Sequence, residues 1–412
     1  MTHSNPNSEK TSFLSKLFKI ILSPFNNLRT NSSKQKENTE FLETYEINSI
    51  SDLSRILQKL GEPEKGHTRF FRGHGNAGWQ MLPSIYRETY LIENEDKIIK
   101  DALTYCPDDF APGDTLFEKL VKLQHYGYNT RLLDLTTNAL VALYFTVRNK
   151  EHDSKYGELI ILDIPNKEIK YWDSDTVSIL SAISLQENDF TITIKETLTN
   201  IKKKIDNIIK ENSVIPDVPR DKTDKDILEE INNATLRMAI FHPVNEIEIF
   251  LDIYNKNQNK EKGRLANEYH KIIDDFLLNF NRQLHIIKLL QDIRKDKPYF
   301  RPVINPTDFQ RVICVRAKLN NVRISRQHGC FLLFGINGEK RIPASIPDDF
   351  NNTTSWKQRP FKDKKFIIPP VSKEKIRKEL KIFGISERTL FPELDKQATE
   401  IMEQYNPDSK KP

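Results

Sequence analysis

Residues 68–79 read TRFFRGHGNAGW, an apolar strand that runs straight into a glycine-rich loop. The chain holds few glycines, 13 in 412 residues, against an average near about 7%. Seven of the 13 fall in three places: Gly73, Gly75 and Gly78; Gly127; and Gly329, Gly335 and Gly338. Where a chain avoids glycine, those it keeps mark special backbone geometry or close approach to a ligand. Arg72 closes the apolar run, and a guanidinium there is permanently charged and forks onto phosphate. Gly73, next to it, lets a ligand approach the backbone. The plainer reading is a turn that carries a surface arginine.

Outward from this strand, 45–60 (YEINSISDLSRILQKL) reads as a helix with Ser51 as N-cap and Leu53, Ile56, Leu57 and Leu60 inward. Residues 114–126 look helical, 136–149 form a second, buried helix, and 156–164 (YGELIILDI) is a strand. Residues 311–319, 329–336 and 364–368 return to strand patterns, and 373–383 is an amphipathic helix stopped at Gly384. Between these parts lies 190–300, rich in Lys, Glu, Asn and Ile at helical spacing and read as a mostly helical insertion, with 246–254 as a strand inside it. The expected organisation is a polar tail with a short amphipathic helix at 1–40, a core in two parts at 45–189 and 301–395, the insertion between them, and a tail at 396–412. The class is α+β.

Composition sets the outer bounds. The length suggests two to three units at roughly 150 residues each. AVILMFWYC residues are 37% and charged residues 29%, so a globular body with polar loops or helices is expected. No apolar run approaches the roughly 18 residues of a membrane span. Cys106, Cys314 and Cys330 give neither a disulfide framework nor a CxxC pair, which points to the cytoplasm. Net charge is +5, from 63 basic and 58 acidic residues. That balance permits a nucleic-acid partner without demanding one.

Two further stretches concentrate chemistry. Gln124-His125-Tyr126-Gly127-Tyr128-Asn129-Thr130-Arg131-Leu132-Leu133-Asp134-Leu135-Thr136 packs His, Tyr, Arg, Asp and Thr into what reads as a linker between helices. Arg131 and Asp134 can form a structural ion pair there. Arg323-Ile324-Ser325-Arg326-Gln327-His328-Gly329-Cys330-Phe331 leads polar residues into a glycine and a buried strand. His125 and His328 suit acid–base work. With no third ligand at a metal-binding spacing, no metal is expected. Cys330 reads as a core thiol. Glu246 and Glu248 would share one strand face, either as a solvated edge or as a carboxylate pair. P-loop, dinucleotide-fold, zincin and nucleophile-elbow motifs are absent.

Taken in order, FRGHGNAGWQMLPSIYR at 71–87, LQHYGYNTRLLDLTTNALVALYFTVRN at 123–149, INPTDFQRVICVRAKLNNVRISRQHGCFLLFGI at 304–336 and IPP…KIRKELKIFGISERTLFPELD at 368–395 resemble the FRG domain family, over roughly 45–395. Some members of that family resemble ADP-ribosyltransferases and sit in bacterial toxin or anti-phage modules. The resemblance implies an ADP-ribosyltransferase-like split antiparallel β core with a helical insertion, and NAD as co-substrate without a metal. It implies that Arg72 grips the NAD diphosphate or adenylate ribose and that Gly73 backbone groups hold the nicotinamide carboxamide. Tyr126 or Phe331 would stack on the nicotinamide ring, and Phe71, Gly127, Thr130 and Thr136 complete the cofactor set. Where many transferases carry a late Glu, this chain offers Gln327, which binds a hydroxyl but is no base. His328, His125 or Asp134 would then take the acceptor proton, with Asp134 orienting Arg131 and Glu248 as the outside carboxylate. The implied acceptor is nucleic acid (RNA) or protein, with an antitoxin or chaperone as a further partner. Two other functions compete: metal-independent RNA cleavage or phosphoryl transfer by His125, His328, Arg72 and Arg131, and a non-catalytic nucleotide-sensing interaction module.

Overall fold

Alternation along eight strands builds the main sheet, helices cover one of its faces, and two further strands form a small second sheet. The computed structural model describes residues 46–192, 275, 277–348, 355–359 and 364–405. The chain divides into two units, and every described residue lies in the unit formed by 45–199 and 270–412. The readings for 1–40, for 246–254 and for most of 190–300 lie outside the described residues.

The first helix, α1 (Ile50–Leu60), precedes β1 (His67–His74), and α2 (Thr89–Glu93), α3 (Glu95–Tyr105) and α4 (Leu116–His125) follow. Next come β2 (Leu132–Thr136), α5 (Ala139–Val147), β3 (Gly157–Pro165), β4 (Ile169–Tyr171) and α6 (Asp175–Ala182). The chain resumes with α7 (Leu284–Asp296), β5 (Val312–Arg316), α8 (Val322–Arg326), β6 (Gly329–Phe334), β7 (Ile336–Asn337) and β8 (Glu339–Pro343). It ends with β9 (Lys357–Gln358), β10 (Phe366–Ile368), α9 (Lys373–Ile382), α10 (Glu387–Leu390) and α11 (Leu394–Tyr405). The class is α+β. The eight-stranded sheet runs β10-β3-β1-β2-β6-β5-β4, with β9 also on β3, and it curls into a half-barrel. Every pairing in it is antiparallel except β4 with β5.

Two local expectations change. The N-cap of α1 is Ser49, not Ser51: Ser49 Oγ accepts the Asp52 N–H, and the Asp52 carboxylate returns a bond from Asn48 N–H. The stretch read as a helix-to-helix linker contains β2, a central strand. Its alternation is real, with Leu133 and Leu135 on one face and Leu132, Asp134 and Thr136 on the other, but five residues between two helices give a weak signal.

The helix-covered face holds two apolar clusters. One joins α4, α6 and α7 to β5 and β6 through Leu120, Leu180, Leu289, Ile313 and Leu333. Thus the last part of 190–300, α7, packs into the same core as β5 and β6. The other joins α1, α5 and α9 to β1, β3 and β10 through Leu53, Phe71, Val141, Ile161, Ile368 and Ile376. The opposite face is a third cluster around Phe70, Leu133, Leu162, Leu332 and Trp356. Each fully buried Phe, Leu or Ile there contributes roughly 1.5–3 kcal/mol relative to exposure. Among the described residues, no helix is long and apolar enough to cross a membrane.

Candidate functional site

The two clusters on the helical face meet where β1 and β2 run side by side, and there the ladder nearly stops. β1 pairs with β3 along its whole length, from His67 opposite Pro165 to His74 opposite Glu158. It pairs with β2 at Phe71 opposite Thr136. Beyond that pair β2 carbonyls need other donors, and Arg72 supplies one: its Nη1 donates to Asp134 O at 2.6 Å. Gly73 has a packing role here. A Cβ on it would stand 2.0 Å from the Ala142 carbonyl oxygen, so α5 lies directly on β1 and no side chain fits between them. That contact occupies the glycine's open side, so the missing side chain serves the packing of α5 on β1.

Period-two alternation sends Phe70, Arg72 and His74 to the face opposite the helices. Arg72 Nε donates to His74 Nε2 at 3.0 Å. His74 is only 2% exposed. Burial first, then the charges of Arg72, Lys365, Arg87 and Lys357, push its pKa down to about 3. Directly across the ladder, Glu158 is buried and its carboxyl is raised by that burial, opposed by Lys365, whose Nζ lies 2.8 Å from Glu158 Oε2. Arg72, Arg87, Lys357 and Lys365 all bear on this buried neutral imidazole; Lys365 is paired with Glu158 and Lys357 with Asp348 at 2.7 Å, so Arg72 and Arg87 carry the field that favours an anion.

The second motif is mostly architecture. α4 ends in a Schellman turn: Gly127 N–H donates to Gln124 O and Tyr128 N–H to Leu123 O, with Gly127 at φ 89°. Gly127 is therefore a turn glycine. The Gln124 side chain accepts from Thr130 Oγ at 2.5 Å and donates to Asp134 Oδ2 at 2.9 Å. Arg131 does not pair with Asp134. It is fully buried, with Nε 2.9 Å from Glu95 Oε1, Nη2 on Glu95 Oε2 and Nη1 donating to Phe334 O at 3.2 Å. Lys340 completes the cluster, 3.4 Å from Glu95 Oε2. Arg131 is thus buried on all sides by this cluster.

Other residues of the expected cofactor set are likewise held within the fold. Phe331 is buried, with its ring edge-on to Phe117 at 6.2 Å, and Phe71 is buried against α5, so neither presents a face to a ligand. Thr130 and Thr136 are buried; Thr136 Oγ donates to Gln327 O at 2.7 Å and accepts from Asn138 N–H. Tyr126 remains 65% exposed, and the Asp134 side chain is also exposed.

The third motif reaches the same seam from the other side. Gln327 Nε2 donates to Leu390 O at 3.1 Å, and exposed His328 takes a left-handed φ of 49° while its carbonyl accepts from Thr137 N–H. His125 Nε2 lies 3.2 Å from Glu393 Oε1, and Arg323 Nη1 lies 3.8 Å from the same oxygen. Burial and Arg323 lower the His125 pKa, with Glu393 opposing. Arg148 and Arg323 both stand over the Phe391 ring, at 4.0 and 4.5 Å. Cys330 is a buried core thiol beside Cys314, which pushes its pKa well up.

Sequence reasoning missed His74, Glu158 and Glu393. His74 is two positions from Arg72 on one strand, so the alternation rule points to it. Glu158 is a carboxylate inside an otherwise apolar strand. Glu393 offered no local signal, because its partners are about 70 and 270 residues away in the chain. Among the described residues, no group of three or more His, Cys, Asp and Glu is placed to hold a metal ion.

No curated protein and no solved structure matches the chain. The family comparison does give a match, and it spans β1 with Arg72 and His74, the Schellman turn, β2, α5 and the approach to β3. Residues 67–155 match the model of the FRG domain.

Proposed function

We propose that this protein binds NAD at the Arg72 end of β1 and transfers its ADP-ribosyl group to a nucleic-acid or protein acceptor, in a toxin or anti-phage setting. The observation that carries this reading is the placement of Arg72. Its guanidinium is fixed by His74 and the Asp134 carbonyl where β1 leaves β2, among Arg87, Lys357 and Lys365. Such a field suits a diphosphate. The near-stop of the β1–β2 ladder is also what a split antiparallel core requires. In the transfer, the bond between ribose C1′ and nicotinamide breaks, with its electron pair leaving on nicotinamide. A new bond forms from C1′ to an acceptor oxygen or nitrogen, and the acceptor proton passes to a base. Oriented polar groups stabilise the oxocarbenium-like state between them. Glu158, beside His74, is the carboxylate this proposal puts in place of the late Glu that Gln327 does not supply.

Purified protein with labelled NAD and total RNA, DNA fragments or lysate tests the reading, with Arg72→Ala alongside. Label appearing on one macromolecule, and lost in a folded Arg72→Ala, is the expected result. Absence of nicotinamide release in every mixture would overturn it. A second reading, a nucleotide-binding module without catalysis, is favoured by one fact: Thr130, Arg131, Thr136 and Phe331 are buried in the fold. It expects NAD binding with no nicotinamide released. RNA integrity in the same tubes tests a nuclease built on His125 and His328.

A further inference from the structure

His74 contains an unmet hydrogen-bond donor. An arginine Nε–H can only donate, so the His74 Nε2 it meets at 3.0 Å must offer a lone pair. The neutral ring then carries its proton on Nδ1. That Nδ1 is buried and has no hydrogen-bond partner. A buried donor without an acceptor is costly, at about 1–3 kcal/mol, and native structures retain few of them without a use. Several cations bear on the same ring: Arg72 and Arg87 from the β1 side and the loop after it, Lys357 from β9, and Lys365 beside β10. Glu158 faces it from β3.

The side chain packed against this ring is Trp79, edge-on to His74 at 5.9 Å and to His152 at 4.9 Å. Its indole is 42% exposed. The base of the intervening loop is anchored from α9, where buried Lys373 Nζ donates to Gly75 O at 2.8 Å and to His152 O at 2.6 Å. The backbone there is held, and Trp79 covers the ring from the solvent side.

We propose that His74 is a ligand-binding residue whose Nδ1–H donates to a phosphate oxygen, with Arg72 holding the same phosphorylated group and Trp79 turning aside to admit it. This rests on the reading that the Arg72 face takes a phosphorylated ligand, but not on any transfer chemistry. A phosphate oxygen meets both needs of the site: it accepts the orphan proton and brings negative charge to Arg72 and Arg87, since Lys357 and Lys365 already pair with Asp348 and Glu158.

The test uses full-length protein with 15N-labelled histidine and long-range proton–nitrogen spectra at pH 7, titrated with inorganic pyrophosphate. His74 is expected in the Nδ1–H tautomer, with its Nδ1 resonance moving as pyrophosphate binds. His74→Phe, which keeps a ring in the space, is expected to weaken pyrophosphate binding by roughly tenfold, or about 1.4 kcal/mol. The opposite tautomer, a cationic ring at pH 7, or an Nδ1 resonance that stays still during binding would overturn the proposal, the last showing that solvent is its partner. NAD assays on the same two proteins separate this proposal from the transferase reading. If pyrophosphate shifts His74 but no nicotinamide is released, the transferase fails and His74 stands as a binding residue. If His74→Phe cleaves NAD with unchanged KM and kcat, His74 fails and the transferase stands.

Discussion

Replacing Arg131 with Met should destabilise the fold without touching a ligand. The substitution removes the guanidinium that pairs with Glu95 through two nitrogens and also bonds Phe334 O, and both charged side chains are fully buried. Breaking a buried ion pair from one side costs about 3–5 kcal/mol, because the remaining charge stays desolvated. Lys340, 3.4 Å from the same carboxylate, still offsets part of that charge, which places the expected loss near the lower end, ~3 kcal/mol. With a urea slope of about 3 kcal/mol/M for a body of this size, the unfolding midpoint should fall by roughly 1 M. Tryptophan fluorescence is the suitable probe, since Trp79, Trp172 and Trp356, all three in the chain, lie in the unit described. Adding Glu95→Gln should recover none of the loss, because it moves the uncompensated charge from the carboxylate to the buried Lys340 ammonium. An Arg131→Met protein with an unchanged midpoint and abolished NAD binding would refute this reasoning and return Arg131 to the ligand site.

Three other expectations follow from the geometry. His74 has an ordinary pKa of 6.5 and a folded value of about 3, so the unfolded chain takes up its proton first and stability falls as pH drops below 6.5; unfolding measured at pH 7 and pH 4.5 should show wild type losing roughly 2–3 kcal/mol more than His74→Asn. Gly73→Ala puts a methyl 2.0 Å from the Ala142 carbonyl oxygen, and thermal melts should show at least about 2 kcal/mol lost, or no soluble folded protein. Gly127→Ala meets no neighbouring atom and pays only for its positive φ, so a loss near 1 kcal/mol with ligand binding intact is expected from the same melts.

Much of the architecture is legible in the residues themselves. YGELIILDI is apolar through most of its length because β3 is buried on both faces, and the amphipathic pattern of 373–383 places Ile376 and Leu380 inward as α9. Arg72 declares itself by position, an arginine ending an apolar strand. β2 hides between helices because five residues cannot outweigh their flanks, and only the pairing of Leu132–Thr136 with Gly329–Leu333 makes them a strand. The roles within the second motif were illegible for a related reason. Arg131 and Asp134 look like partners in the chain, but the strand sends them to different surroundings, and Arg131 finds Glu95 from a helix 36 residues earlier. Polar residue types reveal a capacity for chemistry; burial, set by distant segments, decides which are consumed in holding the fold.

The pairing of β2 with β6 joins Leu132 to Leu333, 201 residues later. During synthesis at about 5–20 residues per second, the middle strand of the sheet therefore waits roughly 10–40 seconds for its neighbour. Through that interval β1, β2 and β3 can form, but one side of β2 stays open, with Leu133 and Leu135 lacking the strand that closes over them. The matched span 67–155 ends before β3 has even begun, so it is a recognisable sequence without being a foldable piece. Nascent chains should be most prone to wrong strand pairing, and most in need of a holding chaperone, after β2 emerges and before residue 334 does.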